Sequence, residues 1–546
     1  MKSTFKLYLI AILLSGIITI QGCIKEEQDL NKITVSEWNP SLAIPLVNSS
    51  LGLSELLIQA NSSLIKTNSD GLLLLTYKPE PFSTPGNDLI QLPDQIFNKV
   101  LANGVSIGNP LKDTTIKTIF DDVLSYNTFK GARIDSIEIK SGYLSFFIKS
   151  SFKHDITVKI NLPSFKKNGV PITMEVPVIY AENSPLVLVN KRIDLSDYTA
   201  SLANNKIPVS YSTEIKVSGS RPISSTDKIE ITQTLGDFKF KALYGYFGQF
   251  VQSMPLNTIA LGLFDKSTPG MGKFSLANPT IRVNIENTLG IPIKGEIKTL
   301  ETTSGEGNAV TSLLPFTGKD FSNPFIIPSP LSPTSDPGKL SLIINNENAP
   351  NLTKLLSSSP KNFSYAAEIT LNPDVNANNF ITEKSKITIS PELELPLEGT
   401  AYGFSISDTF NFPEIPDTII ESLLLRANIT NMFPLNVRLQ VTFLDAGYQK
   451  LDSLFTPIIP GDKNYNALIL SGEINSDGKV ISATNKITDI TYSKSRAANL
   501  RKAKYMAIRG ELETSKVADE YKVVKFFDSY KLDIKLGAQI QGKIKL

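Results

Sequence analysis

Apolar and polar residues alternate with a period of two in segment after segment of this 546-residue chain. Ile137-Glu138-Ile139-Lys140, Thr157-Val158-Lys159-Ile160, Ile281-Arg282-Val283-Asn284-Ile285 and Lys386-Ile387-Thr388-Ile389 all follow it. Successive side chains of a strand point to opposite faces, so the pattern buries one face and wets the other. With 41% hydrophobic residues there is enough apolar material for a core. The expected fold is mainly β: tandem antiparallel β-sandwich domains with a few short helices.

Turn chemistry separates these runs. Asn-Ser-Asp-Gly occurs at 68–71 and again at 475–478, each time between apolar stretches, where Asp-Gly supplies the positive φ of a tight hairpin. The acidic spacing and closing glutamate of a calcium loop are missing from both. Helices are expected in few places: Pro93 to Ala102, where Ile96, Phe97, Val100 and Leu101 form a stripe ahead of Gly104, and more weakly Ser54 to Ala60, Leu352 to Ser357 and Arg496 to Ala503. Five prolines between Asn323 and Gly338 rule out a continuous central strand and imply a long loop.

Three gapless stretches align with one another, beginning at Ile148, Ile285 and Ile429. Each has an apolar residue, Ser or Asn two positions on (Ser150, Asn287, Asn431), Phe or Leu two further (Phe152, Leu289, Phe433), and then a second alternating run. A repeated hairpin would produce this pattern. Their spacing of about 140 residues is too long for a solenoid unit and fits one sandwich domain per repeat. The expected partition is a leader at 1–22, a flexible tether at 23–36, a small mixed domain at 37–128, and sandwiches at 129–268, 269–405 and 406–546.

The second copy reads Asn278-Pro279-Thr280-x-x-Val283-x-Ile285-x-Asn287-x-x-Gly290-Ile291-Pro292, which resembles the late-embryogenesis-abundant type 2 (WHy) domain, a small antiparallel β-sandwich. Segments such as Trp38-Asn-Pro-x-Leu-Ala-Ile-Pro-Leu46, Gly245-Tyr-Phe-Gly-Gln249 and Pro396-Leu-Glu-Gly399 are similar to large outer-membrane lipoproteins of Bacteroidota. That resemblance implies location and architecture; it brings no activity with it.

The N-terminus gives the location more directly. A short cationic leader ending at Lys6 precedes the apolar run Leu7 to Ile20, which is too short to cross a hydrocarbon core of about 30 Å. Ile20-Gln21-Gly22-Cys23 resembles a bacterial lipobox, which implies that Cys23 is diacylated and becomes the mature N-terminus. More than one acyl chain suffices for stable anchoring. Cys23 is the sole cysteine, so no internal disulfide can form. The following Lys25-Glu26-Glu27 resembles the signal that exports Bacteroidota lipoproteins to the outer face of the outer membrane; a solvated charged tether is the alternative reading.

Composition disfavours several functions. Fifty-five basic residues balance 53 acidic ones, so nothing points to nucleic acid. His154 is the only histidine, which excludes multi-histidine metal sites and leaves one possible triad base; its place at the turn of the first repeat reads as a loop residue. No phosphate loop or dinucleotide fingerprint occurs, and no cofactor is expected. Glu392 with Glu394, or Glu511 with Glu513, could form a glycosidase pair, but i, i+2 on a strand is the ordinary pattern of a wet face.

Two features could bind a partner. Residues Ile481 to Leu546 carry fourteen Lys or Arg against seven Asp or Glu; this stretch either faces an acidic surface or, with Lys alternating through Tyr530 to Leu536, protects an edge strand. Tyr244, Tyr246 and Phe247 form either a docking loop or a bulged strand whose aromatics fill a core. The expected function is a lipid-anchored, non-enzymatic scaffold or accessory subunit of an outer-membrane protein complex. The alternative is a surface receptor for glycan or another nutrient, and a glycosidase is the third class.

Overall fold

The computed structural model describes residues 40–52, 65–128, 131–182, 186–261, 272–304, 309–314, 322–357, 360–374, 378–415, 419–455 and 467–543. Cys23, Lys25, Glu26, Glu27 and the helix expected at Ser54 to Ala60 lie outside them. Strands take 64% of the described residues and helices 4%, in a set of antiparallel sheets. The period-two pattern is the cause: along Asp155–Lys167 buried and half-buried residues alternate, and Lys206–Lys216 and Leu435–Leu444 repeat this.

Three sandwiches follow in series. In the first, Val187–Asp194, Arg133–Ser150, Lys228–Tyr246 and Gln95–Ala102 pair in that order. They face a layer ordered Val170–Val178, Asp155–Lys167, Lys206–Lys216, Thr115–Ser125. Thr199–Ser201 pairs with both layers and joins them at one end. The second sandwich packs Leu73–Tyr77, Lys386–Pro396, Thr280–Asn287 and Gly338–Ile344 against a layer built on Pro360–Leu371 and Ile293–Ser304. The third packs Ser41–Gly52, Lys531–Lys543, Ile419–Asn431 and Thr484–Tyr492 against Phe404–Asn411, Tyr505–Thr514 and Leu435–Leu444.

The described strands of residues 37–128 do not form the small mixed domain expected there. They are dealt out to all three sandwiches in reverse order. Ser41–Gly52 lies beside the C-terminal strand of the third, and Leu73–Tyr77 and Phe82–Pro85 lie beside Lys386–Pro396 of the second. Gln95–Ala102 and Thr115–Ser125 then form edges of the first. The chain thus runs back along the whole molecule before returning through the sandwiches in order. The expected 268/269 boundary also moves: Phe250–Ser253 and Asn257–Ala260 already pair with Pro360–Leu371 of the second sandwich.

The three repeats are real but are not hairpins. The two strands of each repeat never pair with one another: Thr280–Asn287 and Ile293–Ser304 belong to opposite sheets, as do Ile419–Asn431 and Leu435–Leu444. In the first copy Arg133–Ser150 and Asp155–Lys167 likewise find other partners. Each repeat is an arch that carries the chain from one layer to the other. The shared polar residue closes it: Ser150 Oγ accepts from the Phe152 N–H at 3.2 Å, Asn287 Oδ1 from Leu289 N–H at 2.9 Å, and Asn431 Oδ1 from Phe433 N–H at 2.9 Å. Sequence periodicity shows two strands and a turn but not whether the turn stays within a sheet.

Other local expectations divide. Pro93 to Ala102 is strand, not helix: its apolar residues pair with Lys228–Tyr246 as an edge, and tertiary pairing overrides a weak helical stripe. Helices do form at Leu352–Ser357 and at Lys494–Leu500, the latter capped by the Ser493 side chain. Both Asn-Ser-Asp-Gly segments are hairpin turns. Asn68 Oδ1 accepts from the Asp70 and Leu72 N–H groups, Asn475 Oδ1 from those of Asp477 and Lys479, and Gly71 and Gly478 have φ of +85° and +79°.

Candidate functional site

Tyr244 and Tyr246 end the long strand Lys228–Tyr246, just before the chain leaves the first sandwich. The ladder shifts register between Tyr244 and Gly245, and Gly245 is required because a Cβ there would overlap the Arg133 carbonyl. Tyr244 is half-buried, with its hydroxyl 3.3 Å from Glu138 Oε1; burial raises its pKa. Phe247 is completely buried, so its assignment to a binding surface is corrected: it is core. Its N–H donates to Asn379 Oδ1 at 3.1 Å, and Asn379 and Asn372 exchange two amide hydrogen bonds of 2.8 Å. The segment is a bulged strand end clamped at the junction of two sandwiches. The Asn pair was missed because two asparagines seven residues apart give no sequence signal.

The free end of the first sandwich collects residues 103–114, 151–154, 179–182 and 217–227. His154 organises them. The Ser218 N–H can only donate, so Nδ1 accepts at 3.3 Å and the ring proton lies on Nε2, which donates to the Arg221 carbonyl at 3.1 Å. Buried and with both nitrogens used, His154 has no capacity left for general-base work. The pinned loop holds the Arg221 guanidinium 5.0 Å from the Tyr180 ring and in an ion pair with Glu182.

The candidate carboxylates have separate partners. Glu392, 13% exposed, pairs with Lys78 at 2.8 Å, whereas Glu394 meets Arg282 at 3.5 Å. Lys78, Pro79, Glu80 and Pro81 with Asn284, Ser390, Pro391 and Glu392 wall a cleft of about 350 Å³ on the second sandwich. Glu513 contacts Arg438 at 4.0 Å and the Tyr521 hydroxyl at 3.3 Å. Glu392 thus faces this cleft already engaged by Lys78, with Glu80 as the second carboxylate of the wall. Among the described residues no three His, Cys, Asp or Glu side chains gather where they could share a metal ion.

Inside the second sandwich lies an apolar cavity of about 60 Å³. It sits where two hydrophobic cores meet. Ile285, Ile327, Ile369 and Ile389 on its wall belong to the core shared with the first sandwich, and Ile281, Ile297, Phe363 and Leu393 to the core shared with the third. Gly295, Ala366 and Ala367 are among its lining residues. Its exposed wall is almost wholly apolar, so it offers little to orient a sugar.

The cationic C-terminal stretch also needs correction. Lys531–Lys543 is an interior strand, held between Ser41–Gly52 and Ile419–Asn431, so its lysines do not guard an edge. Lys531 and Lys535 point to solvent on a face shared with Asn48, Ser50, Asn428 and Thr430, which dilutes the charge.

No protein-family model matches the chain, and no curated protein matches it. Among solved structures, a protein described as secreted, from Parabacteroides distasonis ATCC 8503, aligns with 55% of this chain and 90% of its own at 14% identity and a TM-score of 0.31. The exported protein XepA of PBSX aligns with 55% of this chain and 86% of its own at 9% identity and a TM-score of 0.13. A triple jelly-roll turret protein of an archaeal virus aligns with 91% of this chain and 96% of its own at 10% identity and a TM-score of 0.11.

Proposed function

We propose that this chain is a lipid-anchored lipoprotein of the outer membrane, exposed at the cell surface, that serves as a non-catalytic scaffold or accessory subunit of an outer-membrane protein complex. The lipobox-like Ile20-Gln21-Gly22-Cys23 and the Lys25-Glu26-Glu27 signal support the anchor and its face. The observation that carries the scaffold reading is the path of residues 40–125. One segment supplies strands to all three sandwiches and so ties them into a single body. Its first strand also fixes where the first described residue, Pro40, sits. Ser41 pairs with Gln541, and the Gly542 N–H donates to the Pro40 carbonyl. The other end of that strand pair lies by the contacts of Leu72 and Leu73 with Phe526 and Phe527 that join the second and third sandwiches. Pro40 therefore lies at the far end of the third sandwich, and the His154 loops occupy the opposite end of the molecule. A body held at one end with a loop-bearing tip at the other suits a spacer or docking subunit. The use of both His154 nitrogens and the ion pair of Glu392 with Lys78 support the non-catalytic reading.

The test is purification of the tagged full chain from its own membranes in mild detergent, with mass spectrometry of stoichiometric companions. A defined set of outer-membrane proteins is expected; a solitary lipoprotein overturns the accessory role and transfers attention to glycan binding. Cys23→Ala is expected to move the protein to the soluble fraction, and retention in the membrane overturns the lipid anchor.

A further inference from the structure

The strand Thr115–Ser125 is an edge. It pairs on one side with Lys206–Lys216 through eleven consecutive residues with no register shift, and it contains no proline. Natural sheets usually blunt such an edge. Ser41–Gly52 has Pro45 and a bulge, and the edge strand Val170–Val178 has Pro171 and Pro177 and an irregular register. Thr115–Ser125 carries neither proline nor bulge; of its edge groups the Val123 N–H donates to Asp122 Oδ1 at 2.8 Å and must exchange that partner on pairing, and its outer face shows Ile119 at 69% and Val123 at 53% exposure.

We infer that this edge pairs with the same strand of a second copy, antiparallel about a two-fold axis through Ile119. Three arguments lead there. Backbone groups that point to the open side recur at every second residue, so two identical strands can pair only in registers where the numbers of opposed residues sum to an even value. Of the central registers that remain, the one placing Ile119 opposite Ile119 sets Lys117 opposite Asp121, twice by symmetry. The neighbouring registers set those charges against Ile119, Val123 or Thr115 instead. Finally, Asp121 makes no ion pair among the described residues, whereas Lys117 lies 3.0 Å from Glu214 on the same exposed face, beside the open edge. On the opposite face Phe120, half-buried in one copy, meets Thr118 of the other. The result is an isologous contact, with main-chain bonds for affinity and two charge pairs fixing the register.

The test uses the full chain in detergent, with mass read by analytical ultracentrifugation. A dimer is expected. Lys117→Glu and Asp121→Lys each create two like-charge pairs across the axis and raise the dimer dissociation constant by at least about tenfold. The double reversal restores the pairs, and with them the dimer, which separates loss of the contact from loss of the fold. In a Cys23→Ala background, Ile119→Cys forms an intermolecular disulfide on mild oxidation, because only a residue on the axis faces its own copy. A monomer at every concentration overturns the inference. So does a dimer that tolerates both single reversals, or one in which Ile119→Cys does not cross-link.

Discussion

The backbone N–H of Phe433 donates to Asn431 Oδ1 at 2.9 Å, and the same amide sends its two N–H groups to the carbonyls of Leu435 at 2.9 Å and Leu470 at 2.8 Å. Asn431 is fully buried. One side chain therefore satisfies three backbone groups at the point where the chain leaves one sheet for the other, and Asn287 does the same with Leu289, Ile291 and Pro328. An arch cannot satisfy its own backbone as a hairpin does, so the amide stands in for the missing ladder.

Asn431→Leu is expected to destabilise the third sandwich by about 3 kcal/mol or more, since three buried groups lose partners. Asn287→Leu should act alike on the second, and Ser150→Ala, with one bond at stake, should cost about 1 kcal/mol. Urea unfolding followed by a probe in each sandwich checks the order; equal effects at all three sites contradict it.

Val47 is buried in the core of the third sandwich, although it lies far from that sandwich in sequence. Val47→Asp should cost about 3 kcal/mol or more by burying a charge. Limited proteolysis is expected to open residues beyond 404 first and to leave the first sandwich intact. Early cleavage near residue 100 would contradict the pairing of Ser41–Gly52 with Lys531–Lys543.

His154→Ala strands the Ser218 N–H and the Arg221 carbonyl in a buried site, a loss of about 2 to 4 kcal/mol. Amide exchange in 217–227 should accelerate by more than in any strand of the same sandwich. His154→Gln, which can still accept and donate, should recover part of the protection.

Lys99 bonds to Asp122 at 2.8 Å across the open side of the first sandwich and holds its carboxyl below the ordinary range; Arg426 does the same to Asp489, and Lys140 to Glu383. A pKa depressed by folding gives stability that is present above the unfolded value and lost as pH falls through the folded one. Melting temperature should therefore decline on acidification below the ordinary carboxylate range. Lys99→Met should flatten that decline slightly, by less than about 1 kcal/mol given the solvent screening at Asp122. A decline that begins near neutrality would point to another group.

Much of this protein is legible one segment at a time. Alternation marks the strands, Asn-Ser-Asp-Gly marks two turns through bonds from a side chain to its own loop, and the apolar–Ser/Asn–Phe/Leu signature marks the three arches before its purpose is visible. Pro93 to Ala102 misleads because ten residues carry too little periodicity to outweigh a proline and a glycine at the ends.

The alternating side chains by themselves determined that the chain is mainly β and built from repeats, because which face of a strand is apolar is a local property. Only the tertiary structure decided which strands became neighbours. It drew Ser41–Gly52 to Lys531–Lys543, spread residues 40–125 over three sandwiches, turned three apparent hairpins into arches, buried Phe247 and saturated His154. The reason is that backbone pairing uses the same N–H and C=O groups in every strand. The partner is therefore chosen by which apolar faces can close a core together, a condition set by the whole chain at once.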